Sequence, residues 1–132
     1  MGWTFSKITP AKSTDTAKAL ADQTIPILNG NTQSQNLSTK IGFADHKLGE
    51  PVGILLCSKT VKMPDINPED LGSNWNHHTV IESTLDDLVT SLNAALSTLS
   101  LTDTQLIWSS LTLSTYEKSD YTATLFWLSK TT

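Results

Sequence analysis

Residues 82–130 read ESTLDDLVTSLNAALSTLSLTDTQLIWSSLTLSTYEKSDYTATLFWLSK, and the hydrophobic pattern of this stretch decides the fold class. Leu85, Leu88, Val89, Leu92, Leu96 and Leu99, with Ala95 at the margin, recur at helical spacing on a stripe about 120° wide. Asp86, Asp87, Thr90, Asn93, Ser97 and Thr98 lie opposite. Ser83 or Thr84 suits the N-cap, with both aspartates close to the positive end of the helix dipole. At roughly 1.5–3 kcal/mol per buried aliphatic side chain, such a stripe has to be covered by another element.

The cover is expected from the segment that follows. Gln105 to Tyr116 and Tyr121 to Lys130 alternate as two strands around the turn residues Glu117-Lys118-Ser119-Asp120. A two-residue loop at Lys118-Ser119 sets Tyr116 opposite Tyr121. One face then gathers Ile107, Leu111, Leu113, Phe126 and Leu128, a seat for the leucine stripe. The other gathers Leu106, Trp108, Tyr116, Tyr121, Leu125 and Trp127 among small and hydroxyl-bearing residues. A loop one residue longer exchanges the faces of the second strand, because side chains alternate with period two. The aromatic face is expected to serve as an interface or ligand platform, since large amphipathic rings are favoured at such surfaces.

Upstream, residues 1–12 read as an extended arm whose Trp3, Phe5 and Ile8 can tack onto a sheet before Pro10 interrupts. A helix capped by Ser13 or Thr14 carries Ala17, Leu20, Ala21, Thr24 and Ile25 at helical spacing, and Pro26 ends or kinks it. Asn29 to Thr39 is a polar loop. Lys40 to Met63 suggests a hairpin turning at Gly49-Glu50-Pro51. Its second strand, Val52 to Cys57, is continuously apolar and therefore covered on both faces. Residues 64–81 read as a long loop with one helical turn at Asn67-Pro68-Glu69-Asp70.

At 132 residues the chain has the size of one domain. The fold these elements imply is α+β, of order α-β-β-α-β-β, with a single antiparallel sheet of four or five strands and two helices packed on one face. A net charge of -4 with scattered basic residues gives no reason to expect nucleic acid as a partner. There is no apolar run of transmembrane length and no signal-peptide pattern. A soluble, cytoplasmic or virion protein without a membrane partner is expected.

Chemistry-bearing patterns are sparse. His46, His77 and His78 with Asp65, Glu69 or Asp70 could be read as a metal set, but no ligand spacing links them and adjacent histidines diverge on an extended chain. Cys57 within an apolar run reads as an inert core residue rather than a nucleophile with His46 as base. The acid pairs Glu69/Asp70 and Asp86/Asp87 are accounted for by helix starts. The glycines cradle no phosphate. Gly2 to Ser6 formally fits a myristoylation pattern and Asn36-Leu37-Ser38 a glycosylation sequon, neither in a supporting context. No catalytic residue, metal or cofactor is assigned. Trp75, Asn76, His77 and His78 form the best candidate binding loop, an aromatic plane beside several donors and acceptors.

The succession of helix, strands, helix and closing strand, with an acidic helix start and Trp108-Ser109-Ser110 before a Thr- and Tyr-rich last strand, is similar in outline to the small ring-forming tail-end proteins of tailed phages. The likeness is one of element order, and it implies a self-assembling particle component. The expected function is accordingly a non-enzymatic structural or interaction protein forming homo-oligomers or binding a protein partner. The alternative is a small-molecule binding domain joining the Trp75–His78 loop to the aromatic sheet face.

Overall fold

The computed structural model describes residues 2–8, 16–30, 39–44, 52–58, 67–116 and 120–129. The leucine stripe forms helix α2, Leu85–Thr98, with Leu85, Leu88, Leu92, Ala95 and Leu96 buried as its spacing predicts. Thr84 is the N-cap, its hydroxyl oxygen accepting from the Asp87 N–H at 3.1 Å. At the other end the Leu99 N–H donates to the Ala95 carbonyl, and Ser100 turns the chain out of the helix at φ 52°.

The next element departs from the expected strand. Asp103–Ile107 is a short helix, α3, opened by a capping box in which Thr102 and Gln105 satisfy each other's backbone N–H groups. Leu106 and Ile107, adjacent in sequence, are both buried, which strand alternation does not allow beside a solvated face. Strands β5, Ser110–Tyr116, and β6, Asp120–Ser129, follow. Tyr116 pairs with Asp120, so the loop is one residue longer than the two-residue turn and the faces of β6 are exchanged. Leu111 and Leu113 therefore share the core face with Tyr121, Ala123, Leu125 and Trp127. Phe126 and Leu128 lie on the opposite face with Ser110, Thr112, Ser114, Thr122 and Thr124. This register gathers Leu111, Leu113, Tyr121, Leu125 and Trp127 on one side and leaves Phe126 and Leu128 among the hydroxyls on the other, a sharper separation than the shorter turn gives.

Part of the stretch expected as a loop, Asn74–Glu82, is a strand, β4, paired antiparallel with β6 along its whole length. The sheet order is β4-β6-β5. The short helical turn before it is a 3-10 turn at Pro68–Asp70, capped by the Asn67 side chain. A second sheet, in the order β1-β3-β2, consists of Trp3–Ile8, Val52–Ser58 and Thr39–Ala44, all antiparallel. The N-terminal arm is thus an edge strand, and the apolar run at Val52 is the central one. Val52, Ile54 and Leu56 face the main core, while Leu55 meets Ile8 and Leu20 on the reverse side. Leu20 belongs to α1, Thr16–Gly30, which continues past Pro26 instead of ending there. The carbonyl that Pro26 cannot pair is that of Asp22, a residue on the exposed side of the helix. Of the polar loop expected over Asn29 to Thr39, Asn29 and Gly30 end α1 and Thr39 opens β2. Residues 31–38, the N-cap expected at Ser13 or Thr14, the turn at 49–51 and His46 lie outside the described residues.

The described residues form an α+β structure with three helices and two three-stranded antiparallel sheets, in the order β1 α1 β2 β3 β4 α2 α3 β5 β6. The single sheet with both helices on one face is not what forms. The apolar run of β3 is buried on both sides, so α1 and α2 take opposite faces of its sheet. The edges β2 and β5 lie alongside each other without a hydrogen-bonded ladder, and α2 touches both outermost strands, β1 and β4. Six strands thus curve around one helix, and one core cluster joins both sheets.

The outer edge of β1 is closed by a side chain of α2. Asn93 accepts from the Phe5 N–H at 2.8 Å and donates to the Phe5 carbonyl at 3.1 Å, acting as a one-residue surrogate strand. An exposed Lys7–Asp86 ion pair beside it contributes little. Replacing Asn93 by Ala strands both polar groups of a buried residue. Urea unfolding is expected to show a loss of about 1–3 kcal/mol, the usual penalty for an unsatisfied buried group.

Candidate interaction surface

Strand β4 owes its position to β6, the longest strand, against which residues 74–82 register without a bulge. Its side chains alternate between two faces. Trp75, His77, Thr79 and Ile81 share the outer face with Leu128, Phe126, Thr124 and Thr122, their respective partners on β6. Trp75 is 62% exposed and Ile81 61%, the two most exposed large apolar side chains among the described residues. The His77 ring tilts against Phe126 at 6.2 Å, and the Thr79 and Thr124 hydroxyls meet at 3.0 Å. On the inner face Val80 is buried and Glu82 accepts from Ser91 of α2 at 2.9 Å, but Asn76 is exposed and His78 half-buried. The cover supplied by α2 therefore fades towards Asn74.

Which residues of β4 direct their peptide groups outward follows from three hydrogen bonds. The Asn74 carbonyl accepts from the Ser129 hydroxyl and so points towards β6. The Leu128 carbonyl, opposite Trp75, points away from β4 and accepts from the Gln105 side chain at 2.9 Å. The His77 N–H donates to the side chain of its own neighbour, Asn76, at 2.8 Å. In an antiparallel ladder, residues alternately exchange both bonds with their partner or neither. Asn74, Asn76, His78, Val80 and Glu82 are thus bound to β6, whereas Trp75, His77, Thr79 and Ile81 present their N–H and C=O groups to the outer edge. Among the described residues no strand or helix takes up the groups of Trp75, Thr79 or Ile81.

Exposed edges invite pairing with another chain, and folded proteins usually blunt them with lysine, proline, a bulge or a cover. β1 has its cover in Asn93. β4 is nine residues long and contains no Lys, Arg or Pro. Among the described residues its edge is protected locally by the Asn76 side chain on the His77 N–H.

The remaining sequence-predicted residues separate. Tyr121, Leu125 and Trp127 are core residues beneath α2, so the aromatic platform is not an open face; the exchanged register put them there. Trp108, at the C-terminal end of α3, is 53% exposed and shares no face with them. The Tyr116 side chain lies outside the described set. The Trp75–His78 segment is strand rather than loop, and Ile81, which the sequence reading passed over, joins it. The period-two pattern of Trp75, His77, Thr79 and Ile81 was the available signal.

Among the described residues no cluster of three metal-ligating side chains occurs, and His77 and His78 point to opposite faces. A half-open groove of about 470 Å³ lies between β1 and the end of α2, lined by Trp3, Thr4, Asn93, Leu96, Ser97 and Ser100. The Trp3 indole N–H beside it is sealed from solvent and has no acceptor among the described residues. Burial holds the Lys40 ammonium below the ordinary lysine value and pushes the Tyr121 phenol above the ordinary tyrosine value. No family model, curated protein or solved structure matches this chain.

The placement of the tryptophans gives a direct check. In the dilute single chain Trp75→Ala is expected to change stability by no more than about 0.5 kcal/mol, as for exposed sites generally. Trp127→Ala should cost about 3–5 kcal/mol, as for a large core residue. Chemical denaturation compares the two. A second expectation concerns pH. A phenol whose folded pKa lies above its unfolded value of about 10 contributes stability below that pH and loses it as pH rises through the folded value. Melting temperatures measured from pH 9 upward should fall, and fall less steeply in Tyr121→Phe.

Proposed function

We propose that the protein is a non-enzymatic assembly component that acts through the outer edge of β4. The observation that carries this reading is a long, bulge-free edge strand bearing two exposed large side chains, Trp75 and Ile81, on one face. Main-chain groups along such an edge supply affinity for an added strand, and alternate side chains supply selectivity. The low-charge, hydroxyl-rich outer face of the sheet, with Thr79, Thr112, Thr122 and Thr124, suits contact with another protein surface better than it suits repulsion from one. The phage-particle form of the proposal rests on the sequence outline alone. A small-molecule site would have drawn on the Trp75–His78 segment together with an open aromatic platform. With Tyr121 and Trp127 under α2, only the first half of that site is at the surface.

Light scattering after size exclusion tests the proposal. At micromolar concentration the wild type should exceed the 14.4 kDa of one chain. Trp75→Lys combined with Ile81→Lys should restore the single-chain mass with an unchanged circular dichroism spectrum, because charges on an edge oppose strand addition. A wild type that stays at one chain's mass up to high concentration, alone and in the presence of extract from its source, removes the basis for the reading.

A further inference from the structure

Taking the assembly reading of β4 as its ground, we infer that the strand added to this edge is β4 of a second copy, antiparallel, about a two-fold axis at His78. The resulting sheet runs β5-β6-β4 and then β4-β6-β5 of the second copy without interruption.

Three features of the edge select this occupant and this register. The first is hydrogen-bond parity. Only Trp75, His77, Thr79 and Ile81 direct peptide groups outward, so a self-paired ladder must set these residues opposite one another. Two-fold centres that fall between residues pair an outward group with an inward one and are excluded. The second is overlap. A centre at His78 uses the whole of Asn74–Glu82, whereas a centre at His77 keeps only residues 74–80 and one at Thr79 only residues 76–82. The third is what the side chains then meet. With the centre at His78, Trp75 of each copy lies opposite Ile81 of the other, so the two most exposed large apolar side chains cover each other twice. A directly opposed aromatic and β-branched pair is among the favourable cross-strand contacts. His77 lies opposite Thr79, and Asn74 opposite Glu82. The only charged residue of the strand therefore faces an amide, with the two Glu82 carboxylates held at opposite ends of the ladder. The shorter registers leave Ile81 or Trp75 without this partner.

One edge donor has to change hands. The His77 N–H is held by the Asn76 side chain in the single chain and passes to the second copy's backbone when the strands join. The inner face brings the two His78 side chains together across the axis as a non-hydrogen-bonded pair, the closer of the two kinds of antiparallel pair.

That last contact supplies the test. His78→Cys sets two thiols opposite each other at a spacing cross-strand disulfides can bridge, Cβ atoms about 4.5–5.5 Å apart before relaxation. Under mild oxidation most of the His78→Cys protein is expected as a disulfide-linked dimer on a non-reducing gel. Wild type, whose one cysteine is Cys57, serves as the control. Asn74→Cys and Glu82→Cys should each remain uncrosslinked alone and crosslink when mixed, since each lies opposite the other; this pair also serves if His78→Cys fails to fold. Oligomers by scattering without these crosslinks, or Asn74→Cys linking to itself, would overturn the self-pairing and leave assembly through another surface. A single-chain mass for wild type at all concentrations overturns the self-pairing together with the reading it rests on.

Discussion

The leucine stripe of α2 has to be covered on more than one side, and the rest of the structure is arranged by that requirement. Leu88 and Leu92 are almost completely removed from water. No three-stranded sheet is wide enough to enclose them, so two sheets with adjoining inner edges close around one helix, and side chains from β1, β3, β4, β5 and β6 enter a common core. At about 25 cal/mol per Å² of apolar surface, this shared burial is the main favourable term holding the sheets together, since no hydrogen-bonded ladder joins β2 to β5.

A helix lying in a trough treats the two rims unequally. On the β1 rim the polar flank of α2 carries Asn93, which takes up the backbone groups of Phe5. On the β4 rim its polar contact is Ser91 with Glu82, at the last residue of the strand, and the cover fades from the buried Val80 towards the exposed Asn74 and Asn76. Among the described residues the outer edge of β4 is thus left uncovered as a consequence of how the core is built. The same geometry puts Tyr121 and Trp127 of β6 inside and leaves hydroxyls, Phe126, His77, Trp75 and Ile81 outside. Backbone donors and acceptors flanked by large apolar side chains are the groups that strand addition uses.

Local patterns in the sequence were legible where a single periodicity decided the outcome. The α2 stripe, its Thr84 cap, the central apolar strand at Val52 and the attachment of Trp3 and Phe5 to a sheet all follow from spacing and composition. Three features required more than periodicity. The hairpin register turned on one loop residue, and the criterion that resolves it, most of the large apolar residues on one face and most of the hydroxyls on the other, can be applied to sequence but competes with the commoner short turn. The capping box Thr102-Asp103-Thr104-Gln105 marked a helix start in advance, yet the apolar run after it resembled a strand. β4 was read as a loop because Asn74, Asn76 and the paired histidines have low strand preference; it is a strand because β6 supplies a full-length partner, a tertiary effect that local propensity does not contain. Of the candidate site, the Trp75–His78 segment was found from residue chemistry. Its partner on the edge, Ile81, was hidden beside the buried Val80.

Site-resolved amide hydrogen exchange at two protein concentrations tests the central claim, that the outer edge of β4 is open in the single chain and closed by assembly. Amides of Asn76, His78 and Val80, bound to β6, should be protected at both concentrations. Those of Trp75, Thr79 and Ile81 should exchange freely when the protein is dilute and become protected when it is concentrated. Protection of these three amides in the dilute protein, or free exchange in samples whose scattering already shows oligomers, would contradict the account.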